Sequence, residues 1–227
     1  MIQHDYATAR DHMVDGQVRP NKVIDPRIIR AMRRLPRERF VTPQAVSLAY
    51  ADEDVPLGRG RFLMEPMVIA RLVQLARVRD GDRVLVIGAG TGYGACLMAA
   101  CGGEVTALEE DPALLAIMRP LLAELAPTVQ IVEGKLAEGR LDGTLPDGRW
   151  SVIMIEGSVQ AIPPGLAAQV RHPEGRLVTV LSPPSGRGQG GSGVLAEPSG
   201  AGLRAHAEFD CQTPLLPQLV APPVFQF

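Results

Sequence analysis

The chain is 227 residues long, with a net charge of −2 and 46% hydrophobic but only 4% aromatic residues. That length suits one full-sized α/β domain with an N-terminal extension, and an isoelectric point near 6.1 gives no electrostatic case for nucleic acid. No apolar run approaches membrane-spanning length, and the start Met1-Ile2-Gln3-His4-Asp5 lacks the apolar core of a secretory leader. Cys96, Cys101 and Cys211 have neither disulfide nor zinc spacing, so no metal is expected and a reducing cytoplasm is.

Residues 6–20 read as a short helix ending near Gly16. Asp25-Pro26 opens a second, with Asp as N-cap and Pro at the first helical position, running to about Arg34. Its Ile28, Ala31 and Met32 form an apolar side, while arginines including Arg27, Arg30 and Arg34 crowd the rest. Such a stripe could touch RNA or an acidic partner, but a solvated face is the commoner outcome. Residues 40–60 read as irregular, punctuated by Pro43, Pro56, Gly58 and Gly60. Glu65-Pro66 then opens a helix whose Val68, Ile69, Leu72 and Val73 should pack on a sheet.

After the turn Asp80-Gly81-Asp82, the stretch Val84 to Gly94 organises the chain. Its four apolar residues suit a strand buried on both faces. Gly88, Gly90 and Gly92 let the backbone turn tightly and approach a ligand, and Tyr93 to Ala100 reads as the opening of a helix. The next strand ends in Glu109, about 20 residues beyond the turn, where an acid accepts hydrogen bonds from ribose hydroxyls. The alternative is that Glu109 is one of several surface acids in Glu109-Glu110-Asp111. The turn is not a tight Gly-x-Gly-x-x-Gly run, and no phosphate-cradling Gly-x-x-x-x-Gly-Lys-Ser/Thr occurs in the chain.

Pro112 to Leu125 reads as a crossover helix that Pro120 should kink or interrupt. Val129 to Glu133 and Trp150 to Ile155 are further strands, the latter ending in a turn at Glu156-Gly157-Ser158. A short helix from Pro163 and a strand from Arg176 to Leu181 follow, then a Gly/Ser/Pro-rich loop over 182–193. Val194–Glu197 and Leu203–Phe209 read as an antiparallel edge hairpin joined through 198–202, before a proline-punctuated tail from Pro214. The fold expected is α/β, a doubly wound, mostly parallel sheet with an antiparallel edge hairpin and an N-terminal helical extension. The organisation expected is an extension over 1–60 packed on a core domain over 61–227.

These residues resemble the protein-L-isoaspartate O-methyltransferases, S-adenosylmethionine-dependent enzymes of the class I, Rossmann-like methyltransferase type. The likeness runs through Gln17-Val18-Arg19-Pro20, Asp25-Pro26-Arg27, Pro36 to Val41, Pro56-Leu57-Gly58, Gly81 to Leu85 with the glycine turn, Ile162-Pro163-Pro164 and Glu174 to Val178. The resemblance implies methyl transfer to the α-carboxylate of isoaspartyl residues in damaged proteins. It also implies a cofactor site made of Gly88, Ala89, Gly90, Thr91, Gly92, Tyr93, Glu109, Glu110, Lys135, Leu136 and Glu156. Phe62, Leu63, Met64 and Glu65 would line the acceptor pocket.

Departures from the family pattern fall in that same region. Met64 stands at the family's serine position and cannot donate a hydrogen bond, and Glu65 would repel an anionic acceptor. Lys135 replaces a carboxylate, and Glu156-Gly157-Ser158 replaces a small, neutral turn. A salt-bridged plug follows as an expectation, with Lys135 paired to Glu156, Glu109 or Glu133. No residue is assigned as catalytic, and His4, His12, His172 and His206 lie in unrelated segments. Three functions stay open: an isoaspartyl carboxyl methyltransferase, a catalytically impaired homologue that binds the cofactor or a partner, and a methyltransferase with a different acceptor.

Overall fold

The computed structural model describes residues 5–140, 149–182, 190–200 and 202–220. The buried strands of the sequence form one seven-stranded sheet: β3 (Arg83–Ile87), β4 (Glu104–Glu109), β5 (Gln130–Glu133), β6 (Val152–Val159), β7 (Arg176–Leu181), β8 (Gly191–Ser199) and β9 (Gly202–Cys211). The order is β5-β4-β3-β6-β7-β8-β9. The first five strands are parallel, whereas β8 runs antiparallel to both β7 and β9. A separate two-stranded hairpin joins β1 (Val55–Gly58) to β2 (Arg61–Leu63).

Alternation along the parallel strands divides the core in two. Val84, Val86, Met154 and Val178 face one cluster, which continues into the N-terminal residues Met13, Ile28 and Phe40. Leu85, Ile87, Ile153, Ile155 and Leu177 face the other. Strands with both faces covered in this way read as unbroken apolar runs. The first cluster also takes the apolar faces of α2 (Pro26–Arg34), α3 (Pro66–Leu75), α4 (Tyr93–Ala100) and α5 (Pro112–Leu125). The second is covered by α6 (Pro164–Ala167), by Trp150 and by a late segment carrying Leu216.

Several expectations are corrected. Helix α1 (Tyr6–Met13) does not stop at Gly16, because a wide helical turn over Val14–Val18 and a 3-10 turn over Arg19–Asn21 carry it on. Residues 40–60 are not wholly irregular: a 3-10 turn spans Pro43–Leu48, and β1 turns into β2 through Arg59-Gly60, both at positive φ (51° and 73°). That is the backbone of the hairpin turns whose twist matches paired strands. Helix α5 runs through Pro120 without interruption. Strand β6 does not end at Ile155; after an irregularity between Met154 and Ser158 it pairs on with β7 through Val159. The expected loop over 182–193 gives way to β8 at Gly191, and its residues 183–189 lie outside the described residues, as do 221–227 of the tail.

The arginines of α2 do not form one solvated stripe. Arg27 pairs with Asp25 and Arg33 with Asp11 and Asp15, while beyond the helix Arg39 pairs with Glu124. Arg37 is fully buried.

Candidate functional site

The chain leaves β3 for β4 and β5 on one side and returns to β6 on the other, so β3 and β6 flank the switch point of the sheet. Open α/β sheets bind ligands beyond the carboxyl ends of their strands at such a point. Ile87 leads there into Gly88–Gly92, and α4 begins at Tyr93. Gly88 has φ +70°, and its N–H and that of Ala89 donate to the Leu108 carbonyl at 3.0 and 3.1 Å. Thr91 Oγ1 donates to the Phe40 carbonyl at 2.6 Å, tying the turn to the N-terminal region.

Glu109 closes the adjacent strand, fully buried. Its Oε1 accepts from the N–H groups of Glu110 (2.9 Å) and Asp111 (3.0 Å), and its Oε2 from Gly90 N–H at 2.8 Å. The remaining capacity is taken by Arg61, whose Nη1 and Nη2 donate to Oε1 and Oε2 at 2.8 and 2.9 Å. Arg61 Nη2 also donates to the Gly88 carbonyl at 2.9 Å. Fork-to-fork pairing of this kind is the strongest geometry an arginine and a carboxylate can adopt. Arg61 therefore stands where ribose hydroxyls were expected.

A second element closes the site from above. Ser158 N–H donates to the Pro214 carbonyl at 3.2 Å, Leu216 N–H donates to the Ser158 carbonyl at 2.8 Å, and Ser158 Oγ donates to the Thr213 carbonyl at 2.9 Å. Residues 213–219 thus form a strap bonded to the late part of β6. The buried Leu216 side chain lies on the glycines: a Cβ on Gly88 would sit 3.0 Å from Leu216 Cδ2, and one on Gly157 3.2 Å from Leu216 Cβ. Asp54 Oδ1 accepts from Thr213 Oγ1 and from Glu65 N–H, both at 2.9 Å, which joins the strap to the hairpin side. Between strap, hairpin and β6 there remains a cavity of about 10 Å³, room for about one water.

Beneath this lid lies a polar floor. Arg37 donates from Nε to the Ala49 carbonyl and from Nη2 to the Met64 carbonyl, each at 2.7 Å, and its guanidinium lies 5.0 Å from the centre of the Tyr93 ring. Burial lowers the Arg37 pKa and raises that of Tyr93 to about 12. Glu156 is buried with no partner for Oε2, and burial pushes its carboxyl up to about 8. Gly94 makes room for it, since a Cβ there would collide with Glu156 Oε2.

The other expected residues fall as follows. Glu110 Oε2 accepts from Leu136 N–H at 2.9 Å, and Leu136 is buried. Lys135 takes no part in a plug: it is 78% exposed and pairs at 3.3 Å with Glu138, not with Glu156, Glu109 or Glu133. The expected plug does not form; the buried ion pair at the site is instead Arg61 with Glu109. Nothing in the spacing of the sequence marked Arg61; its position directly after Gly60, beside the departing 62–65 segment, was the one available signal. Phe62 is partly exposed, whereas Leu63 and Met64 are buried. Glu65 holds the N-cap position of α3, without a side-chain cap hydrogen bond, near Asp52 and Asp54; burial first, then these two charges, raise its pKa to about 7. Among the described residues no group of three or more His, Cys, Asp or Glu is placed to hold a metal ion, and no helix is long and apolar enough to cross a membrane.

A parallel sheet with its switch point between β3 and β6, a glycine turn feeding a helix, and a buried acid on the next strand define a Rossmann-like fold of the class I methyltransferase type. The protein-L-isoaspartate(D-aspartate) O-methyltransferase family description matches residues 8–189. The chain is 36% identical over 183 residues to the protein-L-isoaspartate O-methyltransferase of Methylorubrum extorquens, covering 81% of this chain and 78% of that one. It is 33% identical over 180 residues to that of Koribacter versatilis, with 79% of each covered. The chain belongs to the protein-L-isoaspartate O-methyltransferase family.

Two solved structures share the fold. A protein-L-isoaspartate O-methyltransferase superposes with a TM-score of 0.73 at 21% identity over 91% of this chain, which spans just under two thirds (65%) of that one. A Plasmodium falciparum protein described as a putative member, in complex with S-adenosyl-L-homocysteine, superposes with a TM-score of 0.69 at 14% identity, covering 94% of this chain and 99% of that one. In the present chain the cradle as arranged does not accommodate S-adenosylmethionine. Glu109 is saturated by Arg61 and backbone N–H groups, Leu216 fills the space against Gly88 and Gly157, and sites for small ligands need several hundred Å³, roughly 300 or more.

Proposed function

We propose that this chain is an S-adenosylmethionine-dependent protein carboxyl methyltransferase acting on isoaspartyl residues, in the cytoplasm, from a form more open than the one described. The observation that carries the reading is the cradle itself. Positive φ is retained at Gly88, Gly90 and Gly92, and Glu109 is held at the adjacent strand end by Gly90 N–H. Gly88–Tyr93, Glu109 and Glu110 would then serve the cofactor, with Phe62 to Glu65 nearest the acceptor. An isoaspartyl carboxylate is ionised at neutral pH, so the reaction asks this chain for alignment and exclusion of water rather than for a general base.

The Arg61–Glu109 pair favours a second reading, in which the fold is kept and the cofactor site permanently replaced. Incubation with methyl-labelled S-adenosylmethionine and an isoaspartyl peptide separates the two. Base-labile label on the peptide, absent with the matching aspartyl peptide, supports the enzyme. No label at any protein concentration, with S-adenosylhomocysteine also failing to bind, supports the replaced site.

A further inference from the structure

Resting on the methyltransferase reading, we infer that the chain carries its own occupant of the cofactor site: Arg61 and the 213–219 strap act as an internal competitor that must be displaced before the cofactor enters. The parts match the chemistry they exclude. The guanidinium offers N–H donors to the carboxylate that ribose hydroxyls would otherwise approach, at 2.8 and 2.9 Å. The Leu216 side chain covers the bare backbone of Gly88 and Gly157, where a ligand would need close approach.

Both parts are carried by segments outside the seven-stranded sheet, although the side chains of Arg61 and Leu216 are buried. Arg61 rides on a hairpin that is its own two-stranded sheet. The strap is held to β6 at one residue, Ser158, through a parallel bridge with Leu215 and three hydrogen bonds, and by the packing of Leu216. Asp54, which precedes β1, is bonded to Thr213 in the strap, and a Cβ on Gly60 would sit 3.1 Å from Pro217 Cγ, so hairpin and strap touch each other as well as the cradle. The seven-stranded sheet need not change for both to lift away. Because a ligand's apparent affinity falls in proportion to the fraction of molecules that are open, weakening either part should tighten binding.

Calorimetric titration of the full chain with S-adenosylhomocysteine tests this on wild type, Arg61→Gln and Leu216→Ala. The second variant leaves the buried ion pair intact, so it reports even where the first folds poorly. The inference expects both folded variants to bind at least tenfold more tightly than wild type, and the double variant more tightly than either. Equal affinity in all proteins would overturn the internal competitor while leaving the methyltransferase reading standing. Folded variants that bind no ligand at millimolar concentration would overturn the cofactor reading, and displacement with it, leaving Arg61 as a fixed structural cation.

Discussion

Arg61 and Glu109 meet in the fully buried switch point of the sheet as a two-pronged ion pair, 48 residues apart in sequence and joined by two hydrogen bonds. A buried pair adds little over a well-packed apolar alternative, yet removing one partner strands the other charge in a dry site. Arg61→Met should therefore destabilise the fold by about 3 kcal/mol, the lower end of the usual range of roughly 3–5 kcal/mol, because three backbone N–H groups still serve Glu109. Urea unfolding of the two proteins measures the difference. A loss below about 1 kcal/mol would mean that Glu109 is not held as a buried carboxylate.

Glu156 links the site to pH. Burial raises its pKa from 4.5 to about 8, so between those values the folded chain keeps a proton that the unfolded chain has released. Stability contributed by this group is present below pH 4.5 and declines as pH rises toward 8. Glu156→Gln should match wild type near pH 4.5 and exceed it at pH 8, by on the order of 4 kcal/mol. Thermal unfolding of both proteins across this range shows whether the two curves separate.

Gly88 should not tolerate a side chain. Its φ of +70° strains any L residue, and the added Cβ would meet Leu216 Cδ2 at 3.0 Å and Arg61 Nη2 at 3.3 Å. Gly88→Ala is expected to lose about 2 kcal/mol from the left-handed backbone and the crowding together. In a Leu216→Ala background the crowding is relieved, so a double-mutant cycle should return a coupling of at least ~0.5 kcal/mol. Strict additivity would show that the strap does not press on the turn.

Glu65, with its pKa near 7, should govern acceptor use. Above that pH it is charged and repels an anionic acceptor; below it is neutral. KM for an isoaspartyl peptide is expected to rise as pH climbs through 7, and Glu65→Gln should flatten the profile while leaving kcat nearly unchanged.

How much of this was legible in the sequence follows from where the information lies. The strands β3, β4, β6 and β7 announced themselves because burial on both faces demands uninterrupted apolar runs. Asp25-Pro26 and Glu65-Pro66 marked helix starts that the structure keeps, since Pro at the first turn gives up only an N–H with no intrahelical partner. The β1–β2 hairpin was hidden because Pro56 and three residues at positive φ, Gly58, Arg59 and Gly60, read as irregular chain. Glu156-Gly157-Ser158 looked like a turn, whereas the strand continues because Ser158 and Val159 pair with Val180 and Leu181 of β7 and the strap bonds Ser158 as well. The plug expected from the charge changes does not form, because Lys135 lies in solvent; the pair that closes the site, Arg61 with Glu109, was hidden because pairing over 48 residues depends on how the hairpin folds back, which no local spacing encodes.

If the cofactor and the strap exclude each other, hydrogen exchange at the Leu216 amide reports the displacement. That N–H donates to the Ser158 carbonyl at 2.8 Å only while the strap is seated. With S-adenosylhomocysteine at saturating concentration, exchange should become faster at Leu216 and slower at Gly90, as the ligand takes the cradle and the strap leaves it. Ligand uptake, seen as slower exchange at Gly90, with Leu216 still as protected as in the free chain would contradict it.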